Sequence, residues 1–157
     1  MLIKELMEER MPFGIDDVAG FEYLPKISKP STEMGWHVDE DVFLYENTKM
    51  FNGADYGCVY YGPMETACDA ELVISDSKIE NNTEEALEQK EIKIAISKIN
   101  NVTNIKYQKN RAIYFDSGHY LHKTTKLNTG IKYSFVIAVW LKGNEPYGVV
   151  KNLFNDW

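Results

Sequence analysis

The feature that most constrains this chain is a series of short segments rich in β-branched and aromatic residues, each bounded by Gly, Asn, Asp or Pro. Such segments are typical of β-strands joined by turns. They lie at 56–61, 70–75, 91–99, 103–107, 112–115 and 132–141. Because no regular alternation with helices accompanies them, the pattern predicts an all-β fold with minor helix, built as an antiparallel sandwich or barrel.

Two of these segments predict different degrees of burial. In 91–99, Ile92, Ile94 and Ile96 share one face by alternation, while Glu91, Lys93 and Ser97 lie on the other, which predicts a strand with one face toward water. The segment 132–141 is apolar nearly throughout its second half, which predicts a central strand covered on both faces.

Helix is expected in only two places. Residues 2–10 have the apolar spacing of a short amphipathic helix, and the polar stretch 83–91 is typical of a solvated turn or short helix. The tail, 143–157, begins with turn residues and then carries several apolar ones, so it is expected to pack back onto the domain.

Length and composition favour one domain, 1–157, with an ordinary hydrophobic core, since the chain has 157 residues of which 44% are hydrophobic. The net charge of -7 argues against nucleic acid as a partner. Two cysteines are too few for a disulfide framework. With no segment typical of a signal peptide or membrane helix, a cytoplasmic protein without membrane contact is expected.

The candidate chemistry lies in the histidines, of which the chain has three. His37 and Asp39 are two residues apart, and in an extended segment such residues point to the same side. A third ligand has to come from a distant strand, and His122 offers one. Two histidines and one carboxylate on a β scaffold form the triad that holds non-heme Fe(II) with positions left open. His119 is three residues from His122, so one strand would point the two imidazoles in opposite directions.

The sequence from 111 to 141 adds context to the triad. The aromatic and small residues at 114–117 precede His122, and Lys132, Tyr133 and Ser134 begin ten residues after it. This order resembles the closing strands of the 2-oxoglutarate- and Fe(II)-dependent oxygenases, especially the prolyl-hydroxylase-like branch. With the upstream His-x-Asp motif and the pair of strands after it, the resemblance covers roughly residues 35–142.

The resemblance implies a double-stranded β-helix (a cupin-like jelly roll) and a dioxygenase. It implies Fe(II) held by His37, Asp39 and His122, with ascorbate as an accessory reductant. The reaction would hydroxylate a C–H bond while 2-oxoglutarate is decarboxylated to succinate and CO2. The substrate would be a peptidyl side chain, prolyl included, or a small molecule, and the oligomeric state is left open.

The resemblance also implies a second set of contacts, with 2-oxoglutarate as cosubstrate. Its far carboxylate would meet Lys132, and Ser134 would donate a hydrogen bond. Tyr60 or Tyr56, which share one face of their strand by alternation, would supply another hydrogen bond.

Two departures from the family pattern keep alternatives open. Lys132 stands where the branch usually has Arg, so a bidentate contact becomes a point-charge contact. The step from Phe115 to His122 is seven residues, one longer than the commonest spacing, which leaves His119 as an alternative ligand. Only His122 keeps the ten-residue step to Lys132.

Two other function classes also fit the sequence. One is a cupin-like metal enzyme that does not use 2-oxoglutarate. The other is a non-catalytic β-sandwich binding module in which the histidines are incidental.

Overall fold

The computed structural model describes residues 11–48, 50–63, 67–79 and 89–147. This part of the chain contains eight strands, two short α-helices and a single 3₁₀ turn at Ile15–Asp17. The strands are β1 (Val18–Ser28), β2 (Met34–His37), β3 (Tyr56–Tyr61), β4 (Glu71–Lys78), β5 (Val102–Lys106), β6 (Ala112–Phe115), β7 (Tyr120–Thr124) and β8 (Lys132–Leu141). The helices are α1 (Val42–Thr48) and α2 (Gln89–Ser97).

The strands form two antiparallel sheets of four strands each. The first sheet has the order β1-β8-β3-β6, and the second has the order β2-β7-β4-β5. The prediction of an all-β fold with little helix is confirmed at this level. Segments 56–61, 112–115 and 132–141 are strands with the predicted bounds, and 70–75 and 103–107 overlap β4 and β5.

The two faces of the first sheet contact different parts of the protein. Cys58, Ile137 and Val139 share one face, here called the outer face, and form a core cluster packed by apolar residues that include Phe13. The opposite, inner face carries Gly57 at the level of the second sheet's Asp39 turn, because a Cβ built on Gly57 would lie 3.6 Å from Asp39 Oδ2. The space between the two sheets, bounded by the inner face, is called the cleft below.

The second sheet has its own core on the side away from the cleft. Val38, Phe51, Ile79, Ala95 and Leu121 are buried together there. Helix α2 covers this cluster.

The prediction of a strand at 91–99 is wrong, because α2 occupies most of this segment. Ile92, Ala95, Ile96 and Ile99 pack on the second sheet's core, at the i, i+3, i+4, i+7 spacing of one helix face. Ile94, the middle member of the apparent alternation, is 44% exposed. Ile92 and Ile96 fit a period of two and a period of 3.6 equally, and the contacts of Ala95 and Ile99 decide for the helix.

Strand β1 is the longest strand and was not predicted from the sequence. It contains Pro25, which cannot donate a ladder hydrogen bond and is tolerated on an edge strand. Among the described strands it is indeed an edge strand, since it pairs only with β8. In this part of the chain the inner face therefore ends at β1.

The predicted helix at 2–10 and residues 148–157 of the tail lie outside the described residues, as do residues 83–88 of the second helix candidate. Among the described residues, no helix is long and apolar enough to cross a bilayer.

Candidate metal centre

His37, Asp39 and His122 come together at one point of the cleft. His37 ends β2 and is the direct register partner of His122 on β7, and Asp39 follows two residues after His37. One ligand atom from each of the three lies within 4.8 Å of the others. The two imidazole centroids are 4.2 Å apart, and His122 Nε2 lies 3.6 Å from Asp39 Oδ1. This group can hold a metal ion.

Backbone carbonyls fix the orientation of both imidazoles. His37 Nδ1 lies 2.8 Å from the carbonyl of Gly35, and His122 Nδ1 lies 3.0 Å from the carbonyl of Tyr120. A carbonyl only accepts, so each Nδ1 carries the proton and each Nε2 presents a lone pair. Metal-binding histidines in proteins are held in this way, with the second ring nitrogen donating to a backbone or carboxylate oxygen.

The surroundings of His37 and Asp39 favour the forms of these two groups that bind a metal. Burial, followed by the nearby His122, lowers the pKa of His37 and favours its neutral imidazole. Burial alone raises the pKa of Asp39, but the proximity of His122, together with Ser117 and His37, outweighs it and leaves that pKa below its ordinary value. Neutral imidazoles and an ionised carboxylate are the forms that bind metal.

The Asp39 turn is held by close backbone packing. The amide of Asp39 donates to the carbonyl of Ser117 at 2.9 Å, and the carbonyl of Asp39 accepts from Ala54 at 3.0 Å. On the other side, a Cβ on Gly57 would lie 2.1 Å from Ser117 Oγ. Strand β3 can lie this close to Ser117 only because residue 57 has no side chain.

His119, the alternative ligand, lies elsewhere. Its Nδ1 contacts Asp116 Oδ1 at 2.6 Å, and Asp116 also pairs with Lys78 at 3.2 Å. In the part of the chain that the structure describes, the candidate metal group contains His122 and not His119.

The amino group of Lys132 lies beside β7. It is 3.4 Å from Thr124 Oγ1, and Thr124 is two residues from His122 on the same side of β7. Two residues of strand span about 7 Å. The Lys132 amino group is therefore about that far along the cleft from the metal group.

Lys132 is buried without a carboxylate partner among the described residues. It is 5% exposed, and burial together with the charge of Lys26 lowers its pKa from 10.5 to about 8. Ser134, two residues along, is also buried on the inner face. An isolated ammonium is costly to bury, so this end of the cleft is suited to an anion.

Two hydroxyl groups near Lys132 also lack partners. Ser28, the register partner of Lys132, and Tyr61, the register partner of Ser134, are both buried with hydroxyl oxygens that make no hydrogen bond within the described ranges. Buried hydroxyls are nearly always hydrogen-bonded in proteins. Orphan hydroxyls beside a buried ammonium indicate a polar ligand.

The tyrosines expected to face the cosubstrate lie on the outer face. Tyr60 donates to Asn110 Oδ1 at 3.0 Å, and Tyr56 packs edge-on against Phe13. Tyr60 also lines a cavity of about 320 Å³ formed by β1, β3 and β8. The tyrosine of β3 that lies on the inner face is Tyr61, which points away from the side of Tyr56 and Tyr60.

The signal for Tyr61 was present in the sequence. Tyr61 shares one face of its strand with Gly57 and Val59. A glycine within a strand indicates that another part of the protein approaches closely on that face. The close approach at Gly57 is to Ser117, whose carbonyl accepts the Asp39 amide, so the face of Gly57 is the face of the metal group.

Comparison with protein-family models, with curated proteins and with solved structures found no match.

Proposed function

We propose that this protein is an Fe(II)- and 2-oxoglutarate-dependent hydroxylase built on a double-stranded β-helix. The observation that carries the proposal is the combination of a His-Asp-His group with a buried, unpaired Lys132 in the same cleft. Either feature alone fits several functions. Together they provide a metal site and, about 7 Å away, an anion site, which is the arrangement that a chelating diacid requires.

The order of the strands supports the fold proposal. Sheets of order β1-β8-β3-β6 and β2-β7-β4-β5 place sequence neighbours such as β1 and β2 in different sheets. Such an order is expected of an eight-stranded jelly roll made of two Greek keys, and it supports this part of the proposal.

The donor set suits iron. Two imidazoles and one carboxylate bind Fe(II) on one side and leave other positions open. Iron bound here would supply oxidation by O2 coupled to conversion of 2-oxoglutarate into succinate and CO2, with one oxygen atom entering the hydroxylated product and the other entering succinate. Ascorbate would serve as the reductant that keeps the iron ferrous.

The protein's own contribution is to bind and orient the cosubstrate. Lys132 neutralises the far carboxylate, and the hydroxyls of Tyr61, Ser28 and Ser134 donate hydrogen bonds to it. Three hydroxyl donors compensate for the loss of the fork that an arginine would provide. The keto acid end then points along the cleft to His122. The partner implied is a small-molecule or peptide substrate.

The proposal is tested by succinate formation with Fe(II), 2-oxoglutarate and ascorbate. Tyr61→Phe removes one hydroxyl from the inner face, and Tyr60→Phe removes one from the outer face of the same strand. A hydrogen bond to a charged group contributes about 1.5 kcal/mol or more, so Tyr61→Phe should raise the KM for 2-oxoglutarate roughly tenfold. Tyr60→Phe should leave it unchanged.

Three outcomes would contradict the proposal. Equal effects of the two tyrosine variants on the KM for 2-oxoglutarate would mean that Tyr61 does not contact the cosubstrate. Metal binding without any turnover of 2-oxoglutarate would favour a cupin-like metal enzyme. Failure to bind metal at all would favour a non-catalytic binding module.

A further inference from the structure

Within the residues that the structure describes, the cleft opens along β1. On the inner face of this strand, Glu22 is exposed and Leu24 is 58% exposed, although their register partners on β8, Ala138 and Val136, are partly buried. The inner face of an edge strand is the place where a substrate can reach the metal group. The residues of β1 that face the cleft therefore meet an incoming substrate first.

Glu22 lies at the level of the metal group. It pairs with Ala138, which pairs with Gly57, and Gly57 is the residue that approaches Asp39. Neighbouring strands are about 4.8 Å apart, so Glu22 stands roughly 10 Å across the sheet from Gly57. This distance matches the reach of a long side chain that extends from Glu22 toward the metal group.

One oxygen of the Glu22 carboxylate is fixed by a hydrogen bond, and the other is left to contact a ligand. Trp140 Nε1 donates to Glu22 Oε2 at 2.9 Å, and Trp140 is 1% exposed, so the donor is fixed in the core. In the part of the chain that the structure describes, Glu22 Oε1 has no hydrogen-bond partner. By contrast, both carboxylate oxygens of nearby Asp41 accept backbone amides, from Leu44 and Tyr147.

The charge of the side chains on the inner face of β1 changes sign along the strand. Glu22 lies at one end, Lys26 at the other, and the apolar Leu24 between them. Partial loss of hydration, together with the charges of Asp41 and Asp39, raises the pKa of Glu22, so an added positive charge here would be favourable. Lys26 and Lys132 mark the anion end of the cleft, and Glu22 marks the opposite end.

We propose that Glu22 selects a cationic substrate, a primary amine or guanidinium group whose methylene stem crosses the sheet over Ala138 and reaches the metal group. This inference rests on the proposed function and names its substrate class. One C–H bond of the stem would be converted to C–OH, while one O2 and one 2-oxoglutarate are consumed and succinate and CO2 are released.

The test compares probes with and without a positive charge at the end of one side chain. A short peptide with one central lysine is compared with the same peptide carrying Nε-acetyl-lysine, and free lysine serves to distinguish a peptidyl substrate from a free amine. Binding is measured on protein loaded with Zn(II) and 2-oxoglutarate, and turnover is measured as succinate and hydroxylated product with Fe(II). Wild-type protein should prefer the charged probe in both assays.

Glu22→Gln retains an oxygen acceptor for Trp140 and removes the charge. The preference for lysyl over acetyl-lysyl peptide should fall roughly fivefold, the effect of one partly exposed ion pair. Glu33→Gln changes the net charge equally at an exposed position between β1 and β2 and should keep the wild-type preference.

Equal loss in both variants, or a wild-type protein that forms succinate without preferring the charged probe, would overturn this inference alone. Absence of both metal binding and succinate would overturn the proposed function and this inference with it.

Discussion

Replacing Lys132 with methionine should make the protein more stable and less active. The side chain is 5% exposed, and its pKa falls from 10.5 to about 8 because of burial and the charge of Lys26. A pKa change of one unit corresponds to 1.36 kcal/mol, so carrying this charge costs the folded protein about 3 kcal/mol. Methionine has a similar stem and no charge, so Lys132→Met should recover much of that free energy.

The sign of the pH dependence follows from the two pKa values. Below pH 8, Lys132 is protonated in both the folded and unfolded chains, and the full cost is present. Between pH 8 and 10.5 the unfolded chain still binds a proton that the folded chain has released, so this group makes stability rise with pH. Above 10.5 the lysine is neutral in both states and the cost is gone.

The assay is urea unfolding of the protein without metal or cosubstrate, at pH 7 and pH 10. The difference in free energy of unfolding between Lys132→Met and wild type should be about 3 kcal/mol at pH 7 and much smaller at pH 10. Using the difference removes the contributions of other titrating groups. Lys126→Met, at an exposed position, should change the free energy of unfolding by less than about 0.5 kcal/mol at either pH.

The same Lys132→Met protein should lose 2-oxoglutarate-dependent succinate formation. A variant that is less stable than wild type at pH 7 would refute the reasoning, because it would mean that the buried ammonium is already paired. A stability gain that is equal at pH 7 and pH 10 would also refute it, since the gain would then come from packing.

Three further predictions concern the metal group. Gly57→Ala places a methyl group against Ser117, so it should lower the free energy of urea unfolding by about 1–3 kcal/mol and weaken Co(II) binding. Gly62→Ala is the control, because its Cβ would meet its nearest atom at 3.5 Å, and it should change neither quantity. His122→Ala should abolish the Co(II) absorption spectrum while His119→Ala retains it; the reverse result would move the ligand to His119. A divalent metal at a hundred times its Kd should raise the free energy of unfolding by about 2.7 kcal/mol, and a chelator should reverse the gain; a chelator without effect on thermal unfolding would count against the site.

Some of the fold could be predicted because single segments carry enough information. Strands β3, β6 and β8 are continuous aromatic and β-branched runs between turn residues, and their bounds follow from composition alone. Helix α2 was mistaken for a strand because Ile92 and Ile96 satisfy two periods at once. Strand β1 was missed because Pro25 argues against a strand unless its edge position is known.

The candidate site, like the fold, could be predicted only in part. The meeting of His37, Asp39 and His122 could be predicted, since the spacing of the motifs restricts which residues share a metal. The face of the tyrosines was harder to predict, because alternation separates Tyr60 from Tyr61 without saying which face meets the second sheet, and Gly57 is the only hint in the strand itself. That choice depends on the packing of two sheets, and it is a property of the whole fold.

Strand β8 is shared between the core and the proposed cosubstrate site. Its even-numbered positions place Lys132 and Ser134 on the inner face, and its odd-numbered positions place Ile137 and Val139 in the outer core. A slip of one residue would exchange these two sets, sending the aliphatic residues into the cleft and the ammonium into the hydrophobic cluster. Because β8 has neighbours on both sides, neither of its edges can absorb an insertion, and evolution can alter this strand by substitution far more readily than by a change of length.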